Sequence, residues 1–191
     1  MAKRYDQMIP LVDKLKPRRI VEVGVHRAMR ASRLCQTALQ YGPVEYLGYD
    51  VFDTMGEAFQ EAALNGKGEP TEREARRRLD QVRGEFKYSF VIGDTRDTLH
   101  GTEVAADFAF IDGDHRVDAV RGDYLALADV PCVVFDDYYV PDANGDMPDL
   151  SLYGANQVVE EARQAGRKVQ ILPVSDTCKC GGASRLAVVW K

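Results

Sequence analysis

Short apolar runs of four to seven residues, each followed by a stretch of helical period, constrain this chain more than any other feature. Arg19-Ile20-Val21-Glu22-Val23-Gly24-Val25, Tyr46 to Asp50, Tyr88 to Ile92, Phe108 to Ile111, Cys132 to Phe135, Val169 to Leu172 and Arg185 to Trp190 read as strands. Helical spacing lies between them: Tyr5 to Leu15, the stretch to Tyr41, Thr71 to Val82, Asp94 to Leu99, Val117 to Leu127 and Ala155 to Ala165. Strands that are apolar throughout must be covered on both faces, and the intervening helices supply the cover. The expectation is an α/β fold, a Rossmann-like, doubly wound, seven-stranded sheet that is mostly parallel. The last two strands are separated only by Pro173 to Ser184, too short for a helical crossover, so they form a C-terminal antiparallel hairpin.

The 191 residues are expected to make a single domain over 1–191. A helical insertion at about 54–84 follows the second strand, with helical stretches Thr54 to Leu64 and Thr71 to Val82 split by Asn65 to Pro70. It is a candidate lid, or equally a dimerisation arm. The longest apolar runs are far below the roughly 20 residues that span a bilayer, and no apolar stretch follows the basic start, so a cytoplasmic protein without membrane attachment is expected. The net charge of -5 argues against a nucleic-acid partner. The one basic run, Arg73 to Arg83, has interleaved acids at helical spacing and reads as a solvated face. Cys178-Lys179-Cys180 lacks the further ligands of a zinc site and reads as a turn with two free thiols. Cys132 reads as a buried hydrophobe. Composition leaves a homo-oligomer open.

In such a sheet, ligands bind beyond the carboxyl ends of the strands. Polar residues cluster there: Glu22 and Gly24 on the first strand, Asp50 on the second, Asp94 after the third, Asp112 and Asp114 at the fourth, Asp136 and Asp137 at the fifth. Glu22 to Ala28 lies between strand and helix like a nucleotide-binding turn, but His26 and Ala28 stand where two of the three glycines belong. His26 must therefore keep its side chain off the ligand. Asp50, 22 residues beyond Ala28, has the spacing of an acid that bonds a ribose. A ribose-bearing ligand without pyrophosphate, such as S-adenosylmethionine, fits better than NAD.

The strands ending at Asp112 and at Asp136-Asp137 bring three carboxylates together, which repel unless a cation binds or a proton is shared. An all-oxygen set of this kind suits Mg²⁺, Mn²⁺ or Ca²⁺; alternatively, Asp136 caps the turn that follows it and Asp112 caps a helix. His115 has the unperturbed pKa of a base at neutral pH, or else caps the next helix.

Three motifs carry a family resemblance: FIDGDH at 110–115, VVFDDYY at 133–139 and GDTRDTL at 93–99. With them the chain resembles class I S-adenosylmethionine-dependent methyltransferases, of the group related to catechol and macrocin-type sugar O-methyltransferases. The resemblance implies metal ligands at Asp112, Asp136 and Asp137. It implies cofactor contacts at Glu22, Gly24 and Asp50, with Asp94 and Thr95 near the adenine. His26 and Asp112 join that cofactor set, and Asp114 maps onto the proposed base. The implied acceptor is a small hydroxylated molecule, sugar or diol-like. Rival readings are a non-catalytic cofactor-binding subunit of the same fold, a Mg²⁺-dependent phosphate-handling protein and a nicotinamide dehydrogenase.

Overall fold

A computed structural model describes residues 3–54, 71–178 and 181–191. The helix expected from Thr54 to Leu64 and the loop Asn65 to Pro70 lie outside the described residues, apart from Thr54, which closes a 3-10 turn Phe52–Thr54.

The strands are β1 (Arg19–Val23), β2 (Val44–Asp50), β3 (Phe86–Ile92), β4 (Phe108–Ile111), β5 (Cys132–Val140), β6 (Lys168–Ile171), β7 (Asp176–Thr177) and β8 (Ala183–Trp190). The helices among the described residues are α1 (Met8–Leu15), α2 (Met29–Ala38), α3 (Glu72–Leu79), α4 (Thr95–Thr98), α5 (Val117–Ala126) and α6 (Gly154–Gln164). Sheet order is β3-β2-β1-β4-β5-β8-β6, with β7 paired to β8. The pairs from β3 to β5 are parallel, and β8 is antiparallel to β5 and β6. The mostly parallel sheet and its antiparallel C-terminal strands are therefore as the sequence pattern requires. The eighth strand is an addition: β7 has two residues, too few to show any period.

Alternation along each strand divides the core in two. Ile20 of β1, Phe108 and Phe110 of β4, Val134 of β5 and Val188 of β8 pack on one side, with Met8 and Val12 of α1 and Leu34 of α2. Val21, Ala109, Ile111, Val133 and Val189 pack on the other, with Val158 and Val159 of α6. The central strands β1, β4, β5 and β8 are thus covered on both faces, while the edge strands β3 and β6 keep exposed residues.

Local chemistry sets the element ends. Lys16 closes α1 in a left-handed conformation (φ 52°) just before Pro17. Thr71 and Glu74 form a reciprocal capping box that starts α3, and Arg76 of the basic run pairs with Glu72 one turn back. Strand β5 is longer than expected. It passes through Asp136 and Asp137 to Val140 because pairing with β8 resumes after a register shift between Phe135 and Tyr138. Asp137 sits at that bulge with φ +52°.

Candidate active site

Strand parity decides which acids meet. Side chains alternate across a strand, so Glu22 falls on the face of Ile20, Asp112 on that of Phe110, and Asp136 on that of Val134. This is the face covered by α1, α2 and the 3-10 segment Lys3–Gln7 that precedes them. Two guanidinium groups reach the acids from that layer.

Arg4 grips Asp136 with both arms of its fork, Nε to Oδ1 at 2.9 Å and Nη2 to Oδ2 at 3.0 Å, and the Tyr5 hydroxyl donates to the same Oδ2 at 2.5 Å. Arg4 also reaches Asp137 Oδ1 at 3.3 Å and Asp176 Oδ2 at 3.2 Å. Arg30 of α2 pairs with Asp112 and lies 3.6 Å from Glu22 Oε1. The Tyr5 ring is the spacer, with Arg4 4.7 Å and Arg30 4.8 Å from its centroid. Gln7 anchors the segment by accepting from Val174 N and donating to Val174 O.

The electrostatics follow from these contacts. Burial raises the cost of charge on Asp136, but Arg4 and Tyr5 overcome it and hold this carboxyl below the usual range. Burial, with Asp136 and Asp137 nearby, pushes Asp112 well up in spite of Arg30, and the Asp112 and Asp136 side chains hydrogen-bond each other. Proton sharing therefore relieves part of the repulsion, and guanidinium charge relieves the rest. Burial likewise pushes Glu22 up to about 7 against the pull of Arg30. Its Oε2 accepts from Tyr46 at 2.6 Å, whereas Oε1 has no hydrogen-bond partner.

These contacts bear on the metal ligands expected at Asp112, Asp136 and Asp137. The oxygens of Asp112 and Asp136 that a divalent cation would need are held by Arg4, Arg30 and Tyr5, and Asp137 faces Arg4, Ser184 and His115. Among the described residues no group of three or more His, Cys, Asp or Glu is arranged to hold a metal ion. The donor set does not fit Mg²⁺, Mn²⁺ or Ca²⁺.

The turn after β1 is built for close backbone approach. Gly24 has φ +84°, and a Cβ there would lie 2.0 Å from the Asp112 carbonyl oxygen, so its glycine seats the β1 turn against the end of β4. His26 and Ala28 also take left-handed conformations. Asp50 organises this turn: Oδ2 accepts from His26 N and Oδ1 from Phe52 N, both at 2.7 Å. His26 thus contributes through its backbone. The Val25 and Val51 amides also donate to this carboxylate, so Asp50 is the hub that ties the ends of β1 and β2 together.

The residues expected near the adenine, Asp94 and Thr95, have partners within the chain. Asp94 caps α4 and chelates the Arg96 guanidinium, and the Thr95 hydroxyl bonds the buried Asp123, which also holds His100 Nε2 at 3.0 Å. Asp114, two residues before the Arg116 N-cap of α5, accepts from the Arg116 amide and guanidinium; burial alone would raise it, but Arg116 holds its carboxyl below the usual range. That suits an anchor better than a base.

His115 stands differently. Its Nδ1 lies 3.3 Å from Asp137 Oδ2, and Asp137 Oδ1 accepts from the Ser184 hydroxyl at 3.0 Å. The His115 carbonyl accepts from Gly154 N at 2.7 Å. Gly154 permits this because a Cβ there would lie 2.8 Å from Val117 Cα. Asp112, Asp114, His115, Asp136, Asp137 and Tyr153 line an open cleft at the ends of β4 and β5. Asn156 of α6 braces the wall, accepting from Tyr139 N and donating to Tyr139 O, both at 2.9 Å.

Arg4, Tyr5, Arg30, Asn156 and Ser184 were not legible as site residues. Only the shared parity of Glu22, Asp112 and Asp136 pointed to the layer that supplies their counter-ions. Cys178, read as a free thiol, is disulfide-bonded; Cys35 and Cys132 are free and buried. Lys179 and Cys180 lie outside the described residues.

A sheet whose strand order reverses between β1 and β4, which carries an antiparallel strand between β5 and β6 and gathers acids at its strand ends, defines the class I methyltransferase fold. The profile of a family described as "Methyltransferase domain" matches residues 21–138, more than half of the chain, and the chain belongs to that family. Solved structures agree. Cofactor-bound Rv0187 from MTB superposes with a TM-score of 0.65 at 17% identity, covering 100% of this chain and 80% of that one. The O-methyltransferase TomG from Streptomyces achromogenes, in complex with SAM, gives 0.61 at 19%, covering 100% and 81%. An O-methyltransferase from Bacillus cereus in complex with SAH gives 0.63 at 16%, covering 100% and 82%. No curated protein matches the sequence. No described helix is long and apolar enough to cross a membrane.

Proposed function

We propose that this methyltransferase is a single-domain S-adenosylmethionine-dependent O-methyltransferase whose small hydroxylated acceptor binds in the cleft at the ends of β4 and β5. The observation that carries the reading is the His115–Asp137 pair lining that cleft. The names of the solved relatives support the cofactor and the oxygen acceptor.

The residues at the β1 and β2 ends fit the cofactor. Asp50 places a carboxylate held by backbone amides at the end of β2, at the spacing of a ribose-binding acid, the Gly24 turn brings the chain close to β4, and Glu22 Oε1 is a buried acceptor that faces Arg30 at 3.6 Å without a hydrogen bond. When bound, S-adenosylmethionine supplies a methyl carbon already activated by a positive sulfur. The chain must align an acceptor oxygen with that carbon and remove its proton. In the tautomer that carries its proton on Nδ1, 3.3 Å from Asp137 Oδ2, His115 presents Nε2 to take the acceptor's hydroxyl proton, and the Asp137 carboxylate stabilises the imidazolium that forms. Ser184 fixes Asp137 in turn. Asp114 is assigned to anchoring the β4 to α5 turn, and Asp94 to anchoring α4. A soluble, cytoplasmic setting is part of the same reading.

Calorimetric titration with S-adenosylmethionine and S-adenosylhomocysteine, followed by turnover on a panel of hydroxylated acceptors, tests it. Micromolar binding of both, weakened at least tenfold in Asp50→Ala, is expected. His115→Gln should keep binding and lose about 10²-fold or more in turnover. No binding of either sulfur ligand refutes the cofactor assignment; binding without turnover on any acceptor leaves the non-catalytic reading in its place.

A further inference from the structure

We propose that Arg4 and Arg30 stand in permanently for a divalent cation at the acid cluster, so that this enzyme works without a metal and takes an acceptor that presents one hydroxyl rather than a chelating pair. The substrate part of this inference rests on the O-methyltransferase reading; the metal part stands on the contacts alone.

A divalent ion at the ends of β4 and β5 would need oxygens from Asp112, Asp136 and Asp137 at about 2.0–2.6 Å. Both oxygens of Asp136 already accept from the Arg4 fork at 2.9 and 3.0 Å, and one accepts from Tyr5 at 2.5 Å as well. Asp112 is paired with Arg30. A metal would have to enter where two fixed positive charges already stand and already neutralise the carboxylates that would attract it. The guanidinium groups cannot step aside by losing a proton, since burial opposes their charge but the surrounding carboxylates hold both firmly protonated.

Their positions are built. Arg4, Tyr5, Arg30 and Phe110 form one stack, with Arg30 4.8 Å from the Tyr5 centroid and 5.5 Å from that of Phe110, and Tyr5 edge-on to Phe110 at 6.2 Å. Gln7 ties the segment that carries Arg4 to the backbone of Val174. The consequence concerns the acceptor. A metal can bind two adjacent oxygens of a diol and lower the pKa of one. Guanidinium groups whose donors are turned to Asp136 and Asp112 cannot chelate. Deprotonation then falls to His115, which needs a single hydroxyl within reach of Nε2.

Titration of the full-length protein with Mn²⁺, followed by electron paramagnetic resonance of the free ion, reads metal binding independently of methyl transfer. The wild type should show no saturable site up to millimolar Mn²⁺, and EDTA or added Mg²⁺ should change S-adenosylhomocysteine affinity less than twofold. Arg4→Met removes the charge but keeps bulk. It should gain a saturable Mn²⁺ site at least tenfold tighter than anything in the wild type, lost again when Asp136→Asn is added, while Arg4→Lys stays metal-free. Saturable wild-type binding that Asp136→Asn abolishes, or an Arg4→Met protein that binds no more Mn²⁺ than the wild type, overturns the proposal. If Arg4→Met does not fold, the comparison of wild type with Asp136→Asn decides. Failure of the methyltransferase reading would show separately, as absent S-adenosylmethionine binding.

Discussion

Glu22 is a carboxyl group sealed in the core, 1% exposed, with one oxygen bonded to Tyr46 and the other facing Arg30 at 3.6 Å without a hydrogen bond. Burial pushes it from the ordinary 4.5 up to about 7, opposed by the charge of Arg30. Because its folded pKa exceeds the unfolded one, the folded state binds the proton more tightly between those values. The stabilisation is complete below about pH 4.5 and is lost as pH rises through about 7. A shift of that size, at about 1.4 kcal/mol per pH unit, amounts to about 3 kcal/mol. Glu22→Gln keeps the shape and an acceptor for Tyr46 but cannot titrate. Urea unfolding of both proteins at intervals from pH 4 to pH 8, extrapolated linearly to water, isolates the effect, because every other ionisable group is common to the two. The stability of Glu22→Gln relative to wild type should rise by about 3 kcal/mol across the range, most of it between pH 5 and 7. A difference that stays constant within about 0.5 kcal/mol would falsify the assignment of Glu22 as a buried, proton-holding group.

Three further outcomes follow from the packing. Gly24→Ala puts a methyl group 2.0 Å from the Asp112 carbonyl oxygen in a left-handed backbone, and should lower stability in urea by about 3 kcal/mol or more. Asn156→Ala leaves the amide and carbonyl of Tyr139 buried without their partner, so the melting midpoint should fall by an amount corresponding to about 2–4 kcal/mol. An unchanged midpoint would mean that water replaces the side chain at no cost. Gly154→Ala forces α6 away from Val117 and loosens the bond from Gly154 N to the His115 carbonyl; turnover should fall at least tenfold with S-adenosylhomocysteine affinity held within twofold.

Much of this protein is written locally. The apolar runs that became β1, β2, β3, β4 and β5, the Pro17 stop, the capping box at Thr71 and the short link before β8 are each decided by neighbouring residues, which is why the mostly parallel sheet and its antiparallel end could be read without coordinates. The clustering of Glu22, Asp50, Asp112, Asp136 and Asp137 at strand ends was legible for the same reason. So was the requirement that their charge be compensated. The source of that compensation was not legible. Arg4 meets Asp136 across 132 positions of sequence, and no local pattern marks an arginine in an opening amphipathic segment as the counter-ion of a distant strand end.

Other roles turned on geometry in the same way. Asp114 and His115 are adjacent in a motif, yet Arg116 captures one while a bulge at Asp137 turns a carboxylate toward the other. Sequence fixes what a strand wants to bury through short-range periodicity and propensity. Which charge neutralises which is a long-range question, settled only when the sheet brings its strand ends and its covering helices into contact.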